Sequence, residues 1–262
     1  MNARSVAILG VLIGVLTVAA AHAAEDEVDP GRPSVSNNAR TVPPGAFQIE
    51  TGFEYARTRQ GGAETERRLG VDVLGRVGLV DRLEAQLGWE PLVHLRGPDD
   101  ETGVGDVMMA LKYQFLKPRE RSSVPALGVQ TFVKFPAADE PIGSGRTDFG
   151  MVGLATFDLP AGLGLDVNAG VAAIGQGRPS GYLIQALTAA ALSLEVGSAS
   201  PFVEIFYTSR DERGGRDHVG LDAGVIYRVT RRVALDAAVE TSLAGTGPDW
   251  AVRAGVSVRF GK

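Results

Sequence analysis

The chain has 262 residues, 44% of them hydrophobic, and a net charge of -5 from 26 Lys and Arg against 31 Asp and Glu. That acidic balance excludes a nucleic-acid binder working through bulk positive charge, which needs a basic face. The lack of Cys excludes a disulfide scaffold, a Cys-ligated zinc site and a thiol nucleophile, and three His leave little material for a multi-His metal centre.

Residues 1–23 read as a cleaved secretory signal. Arg4 supplies the positive start, Ser5 to Ala20 is an almost unbroken apolar run, and Ala21-His22-Ala23 is a small-x-small cleavage site. The run is about 16 residues, shorter than the roughly 20 that a spanning helix needs. Residues 24–44 are polar and Pro-rich without periodicity, which predicts an irregular periplasmic lead-in or a plug segment. From Gly45 to the end, apolar residues recur at every second position, the period of strands with one apolar face. The last run shows it best: Trp250, Val252, Ala254, Val256, Val258 and Phe260 share a face, opposite Arg253, Ser257 and Arg259.

Twelve strands are predicted, at 45–58, 64–77, 81–93, 104–117, 124–136, 147–159, 162–174, 181–196, 200–210, 217–229, 232–242 and 249–261. A soluble β-sandwich also alternates, but its strands peak near five or six residues, whereas tilted membrane strands need about 9–11. The connections alternate between polar, mostly longer loops and mostly tight turns such as Pro160-Ala161 and Thr230-Arg231, the habit of outer-membrane barrels. The aromatics sort by height. Phe47, Phe115, Phe157, Tyr227 and Phe260 lie toward the tight-turn rim. Phe53, Tyr55, Trp89, Phe135, Phe149, Tyr182, Tyr207 and Trp250 lie toward the long-loop rim. Two such girdles flanking an apolar band match the interfacial preference of amphipathic rings. By parity only Phe132, Phe202 and Phe206 leave the apolar face. The expected fold is therefore all-β: an antiparallel up-and-down transmembrane barrel of about 12 strands over 45–262, both termini periplasmic, in the outer membrane of a Gram-negative cell.

Several stretches resemble a known family. They are Arg32-Pro33, Ser36-Asn37 and Thr41-Val42-Pro43-Pro44-Gly45 with Gln48 and Glu50, then Thr102-Gly103-Val104-Gly105-Asp106 leading to Leu111-Lys112-Tyr113, then Phe132-Val133-Lys134-Phe135-Pro136 and Thr147-Asp148. In this order they are similar to the outer-membrane proteins assigned to the MetA pathway of phenol degradation, also described as transporters. Gly31 stands where that family leads one to expect an acid. The resemblance implies an outer-membrane barrel with a transport role and names no substrate.

Inward parity collects the charges. The pore-lining candidates are Glu50, Glu54, Asp72, Arg76, Arg82, Glu84, Asp106, Lys112, Lys134, Asp166, Asp222, Arg228, Asp236, Glu240, Arg253 and Arg259, with Arg68, Glu90, Asp148, Asp158, Glu195 and Glu204 also inward. Such charges could filter solutes, as side-chain rings do in pores, or pair across strands in a closed wall. Inward Gly164, Gly170, Ala172, Gly220, Gly224 and Gly255 argue for a narrow opening. The expected function is passive uptake of a small solute, aromatic or hydrophobic solutes being candidates. The alternatives are a non-conducting structural or recognition barrel, with acidic loop tips at Asp99-Asp100-Glu101 and Asp139-Glu140, and, more remotely, a lipid-modifying enzyme. Against the last, His94 falls in a loop, and neither it nor His218 has a Ser two residues away, so no nucleophile–base pair assembles along one strand. No catalytic residue, cofactor or metal is expected. The expected partners are outer-membrane lipid, lipopolysaccharide, the barrel-assembly machinery and the solute, with no nucleic acid.

The first and last strands should close the barrel. With Phe47 beside Phe260, antiparallel pairing places Arg253 opposite Glu54 and Arg259 opposite Gln48. A one-residue slip would turn Arg253 toward lipid, at a cost of roughly 2–4 kcal/mol near the midplane.

Overall fold

The computed structural model describes residues 27–59, 65–98, 100–118, 124–177 and 179–261. The signal segment, the tip of the first long loop and Asp99 lie outside these residues. Among them are thirteen strands: β1 (Phe47–Arg59), β2 (Thr65–Val80), β3 (Leu83–Arg96), β4 (Glu101–Gly103), β5 (Val107–Leu116), β6 (Ala126–Phe135), β7 (Asp148–Asp158), β8 (Leu163–Gln176), β9 (Gly181–Leu194), β10 (Ala199–Thr208), β11 (His218–Thr230), β12 (Val233–Ala244) and β13 (Trp250–Phe260). All pairings between strands are antiparallel. β1 bonds to both β2 and β13, and β2 bonds to β3, so twelve strands form one closed wall. Closure is what lipid demands, because an open edge would leave backbone N–H and C=O groups without partners. β4 continues the line of β5 along the loop end of β3 in the same register, separated from it by residues 104–106; three residues are too short to carry an alternation signal.

The predicted strands coincide with the wall strands to within three residues at each end. The closing register is also as expected: Phe47 pairs with Phe260, Gln48 with Arg259 and Glu54 with Arg253. Girdle rings meet across strands outside the wall. Phe47 stacks on Phe260 at 6.3 Å between centroids, Tyr55 lies 5.5 Å from Trp250, and Phe149 lies 5.2 Å from Tyr182. Phe115, Phe157, Tyr227, Trp89 and Tyr207 also lie on the outer face, as the pairings of their strands dictate. Between the girdles runs an exposed band that includes Leu87, Met109, Leu111, Met151, Val171, Ile184, Ile205 and Leu235.

Three sequence readings need correction. Arg82 lines nothing: it sits in the two-residue turn between β2 and β3 with φ 66°, paired to its neighbour Asp81 at 3.2 Å. His94 belongs to β3, not to a loop, and its Nδ1 meets Thr102 Oγ1 of β4 at 2.7 Å. Two of the small inward residues, Gly220 and Gly224, add no open space. Gly150, Gly224 and Gly220 pair directly with Phe132, Phe202 and Phe206, and a Cβ at each would strike the opposed ring. The three inward aromatics thus lie flat over the glycines opposite them, where no other residue leaves room.

Residues 27–46 have no regular secondary structure and run inside the wall. They enter at the tight-turn rim, where Val28 N donates to Arg231 O and Arg259 Nη1 to Glu27 O. They rise to mid-height at Arg32–Ser36. They then descend past β8, β7 and β3 to Gly45, whose N–H bonds Gly78 O beside the turn into β3. The path is an inverted U. Lacking a ladder of its own, its backbone is satisfied by wall side chains: Gly31 N by Glu50, Val35 and Ser36 N by Glu204 at 2.7 Å each, Asn37 N by Asn168, Ala39 N by Thr156 and Val42 N by Glu84. Buried N–H groups demand such partners. Ala39 completes a small apolar contact with Ala126 and Leu154.

Candidate functional site in the barrel interior

The inward charges sort into tiers. In the lowest, Arg76 of β2 spans Glu50 of β1 and Glu84 of β3, with Nη1 2.8 Å from Glu50 Oε1 and Nε 2.8 Å from Glu84 Oε1. Its Nη1 also donates to Asp29 O, Gln48 and Gln86 donate to the two carboxylates, and Lys112 Nζ donates to the carbonyls of Asn38 and Arg40. All three members of the Arg76 triad are essentially dry, at 2%, 0% and 0% exposure. Each sits on an inward strand position, and both arms of the inverted U seal the tier from within, at Asp29 and Gly31 on the rising side and Val42 on the descending one.

The middle tier is built on two guanidinium groups. Arg253 of β13 bonds Glu54 at 2.8 Å, Asp222 at 2.9 Å and Glu240, and its Nη1 also reaches Pro33 O. Arg32, at the top of the inverted U, bonds Asp72, and its Nε lies 3.6 Å from Asp236 Oδ2. In the upper tier Arg68 bridges Glu90 at 2.6 Å and Glu54 at 3.5 Å, while Lys134 bridges Asp148 at 2.7 Å and Asp106 at 3.0 Å. Asp106 also accepts the backbone N–H groups of Ala137 and Ala138, which ties the start of the loop after β6 to the wall. At the opposite rim Arg228 pairs with Glu27 and Glu195, and Arg40 with Asp158. Asp166 accepts the Thr156 hydroxyl.

Above the inverted U a cavity of about 270 Å³ remains, lined by residues 31–35 together with Glu54, Gly70, Asp72, Glu90 and Arg253. Its carboxylates outnumber its cations. A bulge positions Glu90: Val71 pairs with Leu92 but Val73 with Trp89, so Glu90 and Pro91 together oppose Asp72. Pro91 cannot donate to the ladder, which makes it a natural bulge residue. Above it the inward parity of β3 switches, and Val93 and Leu95 become buried. Outside the membrane span, in the loop before β11, hydrogen bonds from Tyr207 Oη and Arg210 N hold the Asp217 carboxyl below the ordinary carboxylate range.

Reading along single strands missed one pair. Ser242 Oγ lies 3.0 Å from His218 Nε2 across the β11–β12 pairing, under the Phe206 ring. Both residues are inward and near the same rim, so cross-strand registration would have found them. Among the described residues no carboxylate hydrogen-bonds the other ring nitrogen.

Comparison with known proteins places this architecture. A family described as "Putative MetA-pathway of phenol degradation" matches residues 30–260. A crystal structure of the COG4313 outer membrane channel from Pseudomonas putida F1 is similar at 15% identity with a TM-score of 0.71, over 89% of this chain and 100% of that one. The NanC porin is similar at 12% identity with a TM-score of 0.53, over 81% and 98%. No protein of curated function matches in sequence.

Proposed function

This chain belongs to the MetA-pathway family of phenol degradation, and on that premise we propose that it is an outer-membrane channel for passive diffusion of a small solute. The observation that carries the reading is the interior: a closed wall, apolar outside, whose inner face is charged and encloses a cavity lined by Glu54, Asp72, Glu90 and Arg253. A barrel needing only stability would be served as well by apolar packing, since a buried ion pair is weak evidence of stabilisation. Of the segment 24–44, residues 27–44 act as a plug for the lower lumen. The tight-turn rim and both ends of the chain face the periplasm, and the 1–23 segment directs export and is removed. Outer-membrane lipid surrounds the apolar band and lipopolysaccharide meets the long-loop rim. The charged lining favours a polar solute over the aromatic or hydrophobic candidates named from the sequence.

The test is planar-bilayer conductance of the purified full-length protein and of a variant lacking residues 24–40. Discrete conductance steps that grow in the truncated variant support a plugged channel. Silence from both, with normal folding, leaves the non-conducting barrel. The Ser242–His218 contact faces the lumen, so it does not build the lipid-facing nucleophile–base pair that a lipid-modifying barrel needs.

A further inference from the structure

We infer that the wall carries a binding site for a small organic cation of the guanidinium type, and that Arg32 occupies it in the plugged state. The inference rests on the channel reading for the solute's route and names its class.

The site is a row across four neighbouring strands at one height. Asp72 of β2 pairs with Gly52 of β1, Gly52 with Gly255 of β13, and Gly255 with Asp236 of β12. Three strand spacings separate the two acids, roughly 14 Å between backbones, and their side chains reach inward toward each other over a floor of two glycines. The floor has to be glycine. A Cβ at Gly52 would overlap Arg32 Nη2, and one at Gly255 would lie 2.7 Å from Arg32 Nε. The slot therefore fits a flat group laid against the backbone, and the guanidinium is the planar cation with in-plane donors on every edge. Arg32 fills it accordingly: Nη1 bonds Asp72, Nη2 reaches Ala254 O at 3.5 Å, and Nε faces Asp236.

Two further observations point to a ligand beyond a latch. The Asp236 side chain is 1% exposed, yet neither of its oxygens has a hydrogen bond. Arg32 thus satisfies one side of the cradle and leaves acceptor capacity on the other, which a smaller, untethered cation can adjust to use. Asp72, by contrast, is one-third exposed and lines the cavity with Glu54 and Glu90. A cation arriving through the long-loop mouth meets Glu90 and Glu54, then Asp72, with Asp236 behind it. Once the segment withdraws, Arg32 leaves with it and the row becomes a vacant acidic slot. Like charges left facing each other across the vacated row are unfavourable unless a cation returns, so plug and solute compete for the same four residues.

The experiment uses full-length protein, Arg32→Ala, Arg32→Gln, and each of these combined with Asp72→Asn and Asp236→Asn. All are checked for folding by heat-modifiable migration on gels. Methylguanidinium and tetramethylammonium, a cation without N–H donors, are titrated at millimolar concentration by calorimetry and in bilayers. In the Arg32 variants methylguanidinium is expected to bind, and to block potassium current, at concentrations at least tenfold below those for tetramethylammonium. Wild type should respond to neither, and the Asn substitutions should abolish the difference. Equal responses to the two cations, or a difference that survives both Asn substitutions, would overturn the assignment and reduce the row to an anchor for the plug. Silent bilayers with selective calorimetric binding would refute the channel reading while upholding the cradle.

Discussion

Replacing Arg76 by Met asks how dry the lower lumen is. The substitution keeps most of the side-chain volume and removes the cation between Glu50 and Glu84, both fully buried. Breaking a buried pair by removing one partner costs about 3–5 kcal/mol, because a charge is left without compensation. Here each carboxylate keeps other donors: Gln48 and Gly31 N for Glu50, Gln86 and Val42 N for Glu84. The loss is therefore expected at the lower end, about 3 kcal/mol, or more than a hundredfold in the folding equilibrium. Adding Glu50→Gln and Glu84→Gln to Arg76→Met should restore part of it, since the triple variant leaves neither carboxylate charged, while the buried Lys112 ammonium keeps only the carbonyls of Asn38 and Arg40. Urea titration of refolding into lipid vesicles, read from the migration of unheated samples, measures both variants. A loss below about 1 kcal/mol for Arg76→Met, the range of solvated pairs, would refute the dry triad and imply a hydrated lower lumen.

Cysteines at positions 54 and 253 should crosslink in the folded barrel, because Glu54 and Arg253 are direct partners at the closing seam; crosslinking of 253 only to position 50 or 58 would show a shifted register. Gly78→Val places side-chain atoms on the carbonyls of Val42 and Pro43. It should release residues 27–44 to protease while the wall still shows heat-modifiable migration, and unchanged protection would contradict the contact. The Asp217 carboxyl is depressed by its bonds to Tyr207 and Arg210. Its tie is complete above the unfolded value of 3.8 and is lost only as pH falls through the lower folded one. The Arg210 amide should accordingly keep its hydrogen-exchange protection from pH 7 to pH 5, after correction for intrinsic rates, and loss of protection in that window would refute the tie.

The wall was legible because alternation repeats over strands of 10 to 16 residues, and a slip of one residue would send charges such as Arg253 and Glu240 into lipid. Polarity alone therefore sets the register to within two residues, and the Phe47–Phe260 girdle pair removes the remaining choice. What escaped has no period. Gly255 reads as one small inward residue among several and Gly52 draws no notice; only the register makes them one floor. The course of residues 27–46 depends on single bonds to acceptors far along the chain, such as Ser36 to Glu204, which no local pattern announces. The bulge at Glu90–Pro91 had a cue in the proline, but the parity switch above it follows from pairing. His218 and Ser242 meet across strands, beyond the reach of a search along one.

The inverted U has both its ends at a single rim. Nothing of it is threaded: a hairpin of chain rests in the barrel like a bent wire in a thimble, and it can be drawn out the way it went in without any free end passing through the ring. Its pivot is already in place, at Gly45 with φ 77° immediately before β1. Emptying the lumen thus requires no opening of the wall and no parting of the β1–β13 seam. Whatever pulls on this segment has to do so from the tight-turn side, and a solute arriving at the far mouth can displace it only by pushing.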